Sequence, residues 1–252
     1  MLSIANIGTV NRGSKGITKV MLGSVLVWQE TGGGASTPSL VNVTKKVNAS
    51  NPITSDAVSH TQTAGNKLLV IAVGMVRASI AETATITYAG ASADVEATEG
   101  QGAGNGMHRI AYALFNTPAS GANTVSVTWS GGLRNTIIYA IDLANAGDIL
   151  ATGNDGGGWS RDVGHSINIE VPNSLLILAA AARDTVAMTI PFSAGGMIVS
   201  EEDETEEATT SASLAALAYE QDPPTGTQAI EASFAGADSD YSFGLSLVIG
   251  AA

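Results

Sequence analysis

The sequence predicts an all-β fold: a jelly-roll-like β-sandwich built from two pseudo-repeated halves and preceded by a short N-terminal β-hairpin anchor. Three observations support this class. Strand-length segments alternate apolar and polar residues, glycine-rich turns separate them, and parts of the chain recur at a fixed spacing. Of 252 residues 29 are glycine, 13% are charged and 44% are hydrophobic, which is enough apolar material for a buried core.

The first thirty residues predict a hairpin. Residues 17–22 and 25–28 are apolar, strand-like runs on either side of Gly23-Ser24, a two-residue connection typical of β-hairpins. An isolated hairpin is only marginally stable, so we expect this one to pack on the body or on another subunit. The residues predicted to make the anchoring contact are Lys19, Leu22, Val25, Val27 and Trp28.

Residues 31–41 follow as a predicted Gly/Ser/Thr linker, for which a simple surface loop is the alternative. The β-sandwich body is predicted over 42–252, with pseudo-repeats at about 58–148 and 165–250.

The repeat is seen in two matches. Residues 66–73 resemble 173–180, and 118–131 resemble 223–236. The second match places Val125/Ile230, Val127/Ala232, Trp129/Phe234 and Gly131/Gly236 at one offset of 105 residues. The halves are either two tandem sandwiches or two halves of one two-sheet body. We favour the single body, because two facing sheets cover each other's apolar faces.

Individual strands follow from period-two alternation. Val125, Val127 and Trp129 share one predicted face, which makes core packing the expected role of Trp129. The same alternation occurs at 137–143, 167–171 and 241–249, with Gly-, Asn- and Pro-rich turns between the runs. The best helical candidate, Glu206–Ala218, is weak because Thr209-Thr210-Ser211 interrupts its alanines.

Charge is unevenly distributed. Residues 1–50 hold five basic side chains and one acidic side chain, a net +4, whereas the rest hold six basic and 22 acidic, a net −16. The acidic body argues against a nucleic-acid partner, and the basic segment suits docking on an acidic surface or is simply solvated. We expect no disulfide, no signal peptide and no membrane insertion, since cysteine is absent and the apolar runs are strand-sized.

Catalytic and metal motifs are not found in the sequence, so no catalytic residue, metal or cofactor is predicted. His60 and His165 lie about one repeat apart, which indicates structurally equivalent positions. Paired carboxylates for glycoside cleavage are conceivable among residues such as Glu96, Glu99 or Asp142, but sequence does not set their separation.

Two acidic segments are weak calcium candidates. Residues 201–207 are the densest charge run and most resemble a solvated loop, and Asp238-Ser239-Asp240 suits a turn before the last strand.

Trp159 and Arg161 are the candidate contact residues of the body. Trp159 follows Gly156-Gly157-Gly158 and precedes Arg161, a loop-like context. An exposed tryptophan there stacks on a sugar ring, contacts another subunit, or packs within its own fold; the three alternatives remain open.

Two patterns resemble parts of tailed-bacteriophage virion proteins. The stretch from Lys19 through Gly23-Ser24 to Val27-Trp28 resembles a short hairpin near the N-termini of such proteins. The segments 66–70, 86–90 and 112–121, with the Val/Thr strand that follows, are similar to a β-sandwich module of phage tail, fibre and capsid-accessory proteins, although Ala89-Gly90 replaces the usual Gly-Gly pair.

The resemblance implies a non-enzymatic virion protein, assembled in the host cytoplasm, with other virion proteins as partners and a homo-oligomer, preferably a trimer, as its state. The hairpin would anchor it and the sandwich would face outward, with possible contact to host surface glycans. The alternatives are a carbohydrate-binding module that recognises those glycans and, with less support, a glycan-cleaving enzyme.

Overall fold

The computed structural model describes residues 19–22, 25–29, 36–48, 50, 52–76, 82–100, 108–155, 162–184, 192–194, 198–203, 212–233 and 242–252. Every regular element in these ranges is a β-strand, and all strand pairs are antiparallel, so the all-β prediction is confirmed. The jelly-roll arrangement stays a prediction. The chain divides into two compact units, Met1–Ala35 and Ser36–Ala252.

The first unit contains the hairpin. Strands β1 (Lys19–Leu22) and β2 (Val25–Gln29) pair antiparallel, with Leu22 opposite Val25 across a two-residue connection. Val20 pairs with Trp28 but Met21 pairs with Leu26, so Val27 is the extra residue of a β-bulge. The predicted pairing of the two hairpin strands is therefore present.

The first half of the second unit contains eight strands, and one long strand runs through both of its layers. They are β3 (Ser39–Asn48), β4 (Ile53–Gln62), β5 (Lys67–Val76), β6 (Ala84–Tyr88), β7 (Ala91–Ser92), β8 (Val95–Gly100), β9 (His108–Phe115) and β10 (Gly121–Ala144). The C-terminal part of β10 belongs to a large sheet ordered β3-β10-β5-β9-β8. Its N-terminal part lies between β4 and β6 in a small sheet that ends with β7.

The second half repeats this topology with separate strands. They are β11 (Ala146–Asp155), β12 (Asp162–Ile169), β13 (Leu175–Asp184), β14 (Phe192–Ala194), β15 (Ile198–Asp203), β16 (Ala212–Gln221), β17 (Gly226–Ser233) and β18 (Ser242–Ala251). The large sheet is ordered β11-β18-β13-β16-β15 and the small sheet β12-β17-β14. Strands β17 and β18 thus correspond to the two parts of β10.

Three apolar cores lie between the sheet layers. The interface core joins the two large sheets; it contains Leu69, Ile71, Val73, Ile110, Tyr112, Leu114, Ile137, Tyr139, Ile141, Leu143, Ala146, Leu175, Ile177, Ala179, Ala181, Ala215, Leu217, Phe243, Leu245, Leu247 and Ile249.

The first inner core lies between the sheets of the first half and contains Ile53, Leu68, Val70, Ala72, Val76, Ala84, Ile86, Tyr88, Ala111, Ala113, Phe115, Val125, Val127, Trp129, Leu133, Ile138 and Ala140. The second inner core is its counterpart, with Val163, Ile167, Ile169, Leu176, Leu178, Ala180, Ala182, Ala216, Ala218, Ile230, Ala232 and Val248. The layer order is therefore small, large, large, small.

The large sheets meet with a two-fold-like relationship. Contacts join β9 to β18 and β10 to β16, while β5 and β13 meet in the middle. At the sides, the Gln221 amide donates to the Pro38 carbonyl (3.2 Å) and the Asn154 amide donates to Glu99 (3.4 Å), so each half reaches the other. Both faces of the central strands are buried, which explains their continuous apolar sequences.

Several sequence expectations need correction. Each half forms its own pair of sheet layers, so the favoured single two-sheet body is replaced by two packed sandwiches. Strand β3 begins at Ser39, and the strands of the second unit fall into the two sets β3–β10 and β11–β18. The predicted linker at 31–41 and the predicted repeat bounds stay predictions. The weak helix at 206–218 is wrong from residue 212 onward, where β16 is a strand between β13 and β15.

Candidate functional site

The predicted anchor residues lie in the hairpin. Lys19 and Leu22 belong to β1, and Val25, Val27 and Trp28 belong to β2. The pairing brings Lys19 opposite Gln29 and Leu22 opposite Val25, so residues from both strands meet within one short ribbon. Their anchoring role stays a prediction.

The other predicted contact residues fall outside the described ranges. Trp159 and Arg161 belong to residues 156–161, in the chain segment that connects β11 with β12. Asp238-Ser239-Asp240 is outside as well. The sugar-stacking and calcium hypotheses for these residues therefore stay predictions.

The acidic run is partly strand. Glu201, Glu202 and Asp203 end β15 and pair with Leu217, Ala216 and Ala215 of β16, which corrects the expectation of a solvated loop for these three residues. Within the part of the chain that the structure describes, no group of three or more His, Asp or Glu side chains is placed to hold a metal ion.

Asp142 is the centre of a buried polar network. Its carboxylate, fully buried on β10, accepts hydrogen bonds from Gln62 Nε2 (3.0 Å), the Thr63 backbone N–H (3.0 Å) and Asn66 Nδ2 (2.8 Å). Gln62 ends β4 and Asn66 precedes β5, so the carboxylate fixes the turn between the two sheet layers. Because a buried carboxylate with three donors is already satisfied, the arrangement suits a structural role.

The network continues along the seam between β3 and β4. Asn42 donates to the Thr61 carbonyl (3.3 Å), Thr44 Oγ1 is 2.9 Å from His60 Nδ1, and Lys46 Nζ is 2.6 Å from Asp56. Three alternate side chains of β3 thus reach β4 and close one side of the first sandwich, as period-two geometry requires.

The opposite side is closed by β8. Thr98 Oγ1 accepts the Ala84 N–H (3.0 Å), and Glu96 Oε1 accepts the Ile86 N–H, both on β6. Glu96 and Glu99 are three residues apart on one strand and project to opposite faces, so they do not form the paired carboxylates of a glycosidase.

His165 occupies in the second half a place like that of His60 in the first. Its Nε2 lies 2.9 Å from Ser246 Oγ on β18, and Asp155 Oδ2 accepts the nearby Gly164 N–H (2.7 Å). Burial lowers the pKa of both histidines, partly offset by the charge of Asp142 near His60 and of Asp155 near His165. His60 pairs with Asn123, whereas His165 pairs with Ile230, which is the repeat counterpart of Val125. The pairing of β12 with β17 is therefore shifted by two residues relative to that of β4 with β10. A shift of two residues keeps both histidines on the inward face of their strands.

A further polar group lies at one end of the first inner core. Burial raises the pKa of the Glu82 carboxyl, and the Arg109 guanidinium partly opposes this; burial also lowers the pKa of Arg109. The sequence carries no spacing that would have revealed Glu82 and Arg109 as partners.

Trp129 lies over Gly74, where an added Cβ would be 3.1 Å from its ring.

No protein-family model, curated protein or solved structure significantly matches the chain. No helix in the described residues is long and apolar enough to cross a membrane. In the part of the chain that the structure describes, one unit contains two packed antiparallel β-sandwiches and the other contains a short hairpin.

Proposed function

We propose that the protein is a non-enzymatic structural component of a bacteriophage particle, held by its N-terminal hairpin and exposing its double sandwich. The observation that carries this proposal is the division of the chain. A hairpin with its own complete strand pairing forms one compact unit, and the sheets of residues 36–252 form the other.

Stability of the body supports a structural role. Two large sheets bury both faces of β5, β13 and β18 and join the halves through one interface core. Dense burial on both faces suits a protein that must persist outside a cell, since burial of apolar area is the main stabilising contribution.

The buried polar groups also favour structure over catalysis. Asp142, Glu96 and Thr98 accept backbone or amide N–H groups that join strands or turns. These contacts account for the two acidic residues without a reaction.

Charge suits attachment by the first segment. Residues 1–35, the unit with the hairpin, hold three basic side chains and one acidic side chain, a net +2, whereas residues 36–252 hold eight basic and 22 acidic, a net −14. A basic segment docks on an acidic surface, while an acidic exterior repels nucleic acid. We further propose that the protein acts in many copies, with the trimer as the favoured state, and that the exposed body contacts the host surface.

The test is incorporation into particles. A phage lacking this gene is grown with the protein supplied in trans as the full chain, as a variant lacking residues 1–35, as Trp28→Glu, or as the matched body variant Val171→Glu, which changes an exposed apolar residue. Purified particles are then assayed by mass spectrometry, and each variant's thermal unfolding is recorded.

We expect the full chain and Val171→Glu in particles, and at least tenfold less of the deletion and of Trp28→Glu, with the body's unfolding unchanged. Incorporation without residues 1–35 would overturn the anchoring role alone. Absence of the full chain from particles would overturn the virion function itself.

A further inference from the structure

Each half has one inward-facing histidine on the outermost strand of its small sheet. His60 is on β4 and His165 is on β12, and among the described strands each of these pairs with the central strand of its small sheet alone. Each imidazole reaches a hydroxyl on the large sheet, Thr44 on β3 or Ser246 on β18, at 2.9 Å. The histidines therefore link the two sheet layers in both halves.

The surroundings of His60 are nearly closed. The residue is 1% exposed, and its Nε2 and the Gln62 Oε1 are both buried without a hydrogen bond. The charged groups that face it are Asp142 of β10, which is saturated by three donors, and the Lys46–Asp56 ion pair farther along the same seam. A proton on this ring would be buried, the charged groups that face the ring are already paired, and the Gln62 Oε1 is left to accept from it.

His165 has fewer polar neighbours. Its Nδ1 is buried without a partner, and Gly153 of β11 lies so close that an added Cβ would be 3.0 Å from the ring. Asp155, the charged group that acts on the ring, already accepts the Gly164 N–H at 2.7 Å. A second N–H on this imidazole would therefore remain buried without an acceptor among the described residues.

We propose that His60 and His165 form a paired acid-sensitive latch: neutral imidazoles hold the small sheets on the large sheets, and protonation of both releases the layers in both halves over one pH range. His165 is the more sensitive of the two, since His60 has the Gln62 carbonyl oxygen as a possible acceptor. This inference does not depend on the virion function.

The direction of the pH effect follows from the lowered pKa of both histidines. The folded state binds fewer protons than the unfolded state, so full stability is present above the ordinary histidine pKa of about 6.5 and is lost as pH falls below it. Each proton taken up on unfolding raises the unfolding equilibrium constant by up to about tenfold per pH unit, and two histidines by up to about a hundredfold.

The experiment measures unfolding by denaturant between pH 7.5 and pH 5 for the full-length protein, His60→Gln, His165→Gln and the double variant. Ser166→Ala is the control, because Ser166 follows His165 on β12 and its exposed side chain carries no titratable group. NMR titration of the imidazole protons in the unchanged protein provides a readout that does not depend on any variant folding.

We expect the pH slope to shrink in each single variant, more for His165→Gln, and to be smallest in the double variant, while Ser166→Ala keeps it. Both imidazoles should titrate below about pH 6.5. An equal slope in the double variant, or titration of either ring at or above its ordinary pKa, overturns the latch.

Discussion

The hydroxyl of Tyr139 donates a hydrogen bond to the backbone carbonyl of Ala215 across the interface core, with the oxygens 3.1 Å apart and both residues fully buried. Tyr139 is on β10 of the first half and Ala215 on β16 of the second. In the second half, Leu245 takes the place of Tyr139. Tyr139 of β10 pairs with Ile71 of β5, and Leu245 of β18 pairs with Ala179 of the corresponding strand β13. The two halves are thus similar in topology, but at this contact a large residue of the first half, Tyr139, packs on a small residue of the second half, Ala215.

Enlarging the small side of this contact should loosen the halves. Ala215→Leu adds a side chain where the Tyr139 hydroxyl group approaches, and overpacking of a filled core costs about 1–3 kcal/mol of unfolding free energy. Ala229→Leu, on an exposed position of β17, is the control and should change stability by less than about 0.5 kcal/mol. Urea unfolding measures both, and equal effects would show that position 215 is not tightly packed.

Neutralising the buried carboxylate should weaken the first half. Asp142→Asn replaces one acceptor oxygen by an amide that opposes donors from Gln62, Thr63 or Asn66, so we expect a loss of about 2–3 kcal/mol. Asp148→Asn changes a carboxylate that is 80% exposed and only ion-paired to Lys67, for which about 0–1 kcal/mol is expected. Thermal unfolding at neutral pH distinguishes the two variants. If Asp142→Asn unfolded at the same temperature as the unchanged protein, the hydrogen bonds of Asp142 would not stabilise the fold.

Gly244 provides a steric test in the second half. A Cβ there would lie 2.2 Å from Val163 Cγ1, so Gly244→Ala forces the small sheet away from the large one and should lower stability by about 1–3 kcal/mol. Gly164→Ala, the neighbour of Val163, meets nothing within 4 Å and should be neutral or slightly stabilising. If both variants unfold at the same temperature, the close packing of β12 on β18 is refuted.

The sequence predicts much of the fold, because the alternation of apolar and polar residues along a strand indicates which side chains face the core. Val125, Val127 and Trp129 do lie in one inner core, and Ile137, Tyr139 and Ile141 do share the interface core. The hairpin was marked by its two-residue connection. These features depend on neighbours in sequence, which a single chain displays directly.

The layer arrangement was not predictable in the same way. The sequence match aligns Leu69 with Leu176, but Leu69 lies in the interface core and Leu176 in the second inner core. The sequence alignment of the two strands is therefore wrong by one residue. Strands buried on both faces are apolar throughout and lose the alternation that would set the phase. For the same reason alanines of β16, buried on both faces, resembled helix rather than strand.

Polar partners were predicted only where a repeat pointed to them. The spacing of His60 and His165 predicted like positions, and the two side chains do lie on corresponding strands. The contacts of Asp142 with Gln62 and Asn66 join residues 76 to 80 apart in sequence, and such long-range pairing has no local signature.

A density map of the intact phage particle tests the central claim most directly. We expect density for this protein in which the β1–β2 hairpin contacts the particle and the double sandwich projects outward with its two large sheets face to face. A particle without such density, or one in which the body makes the attachment while the hairpin is free, would contradict it.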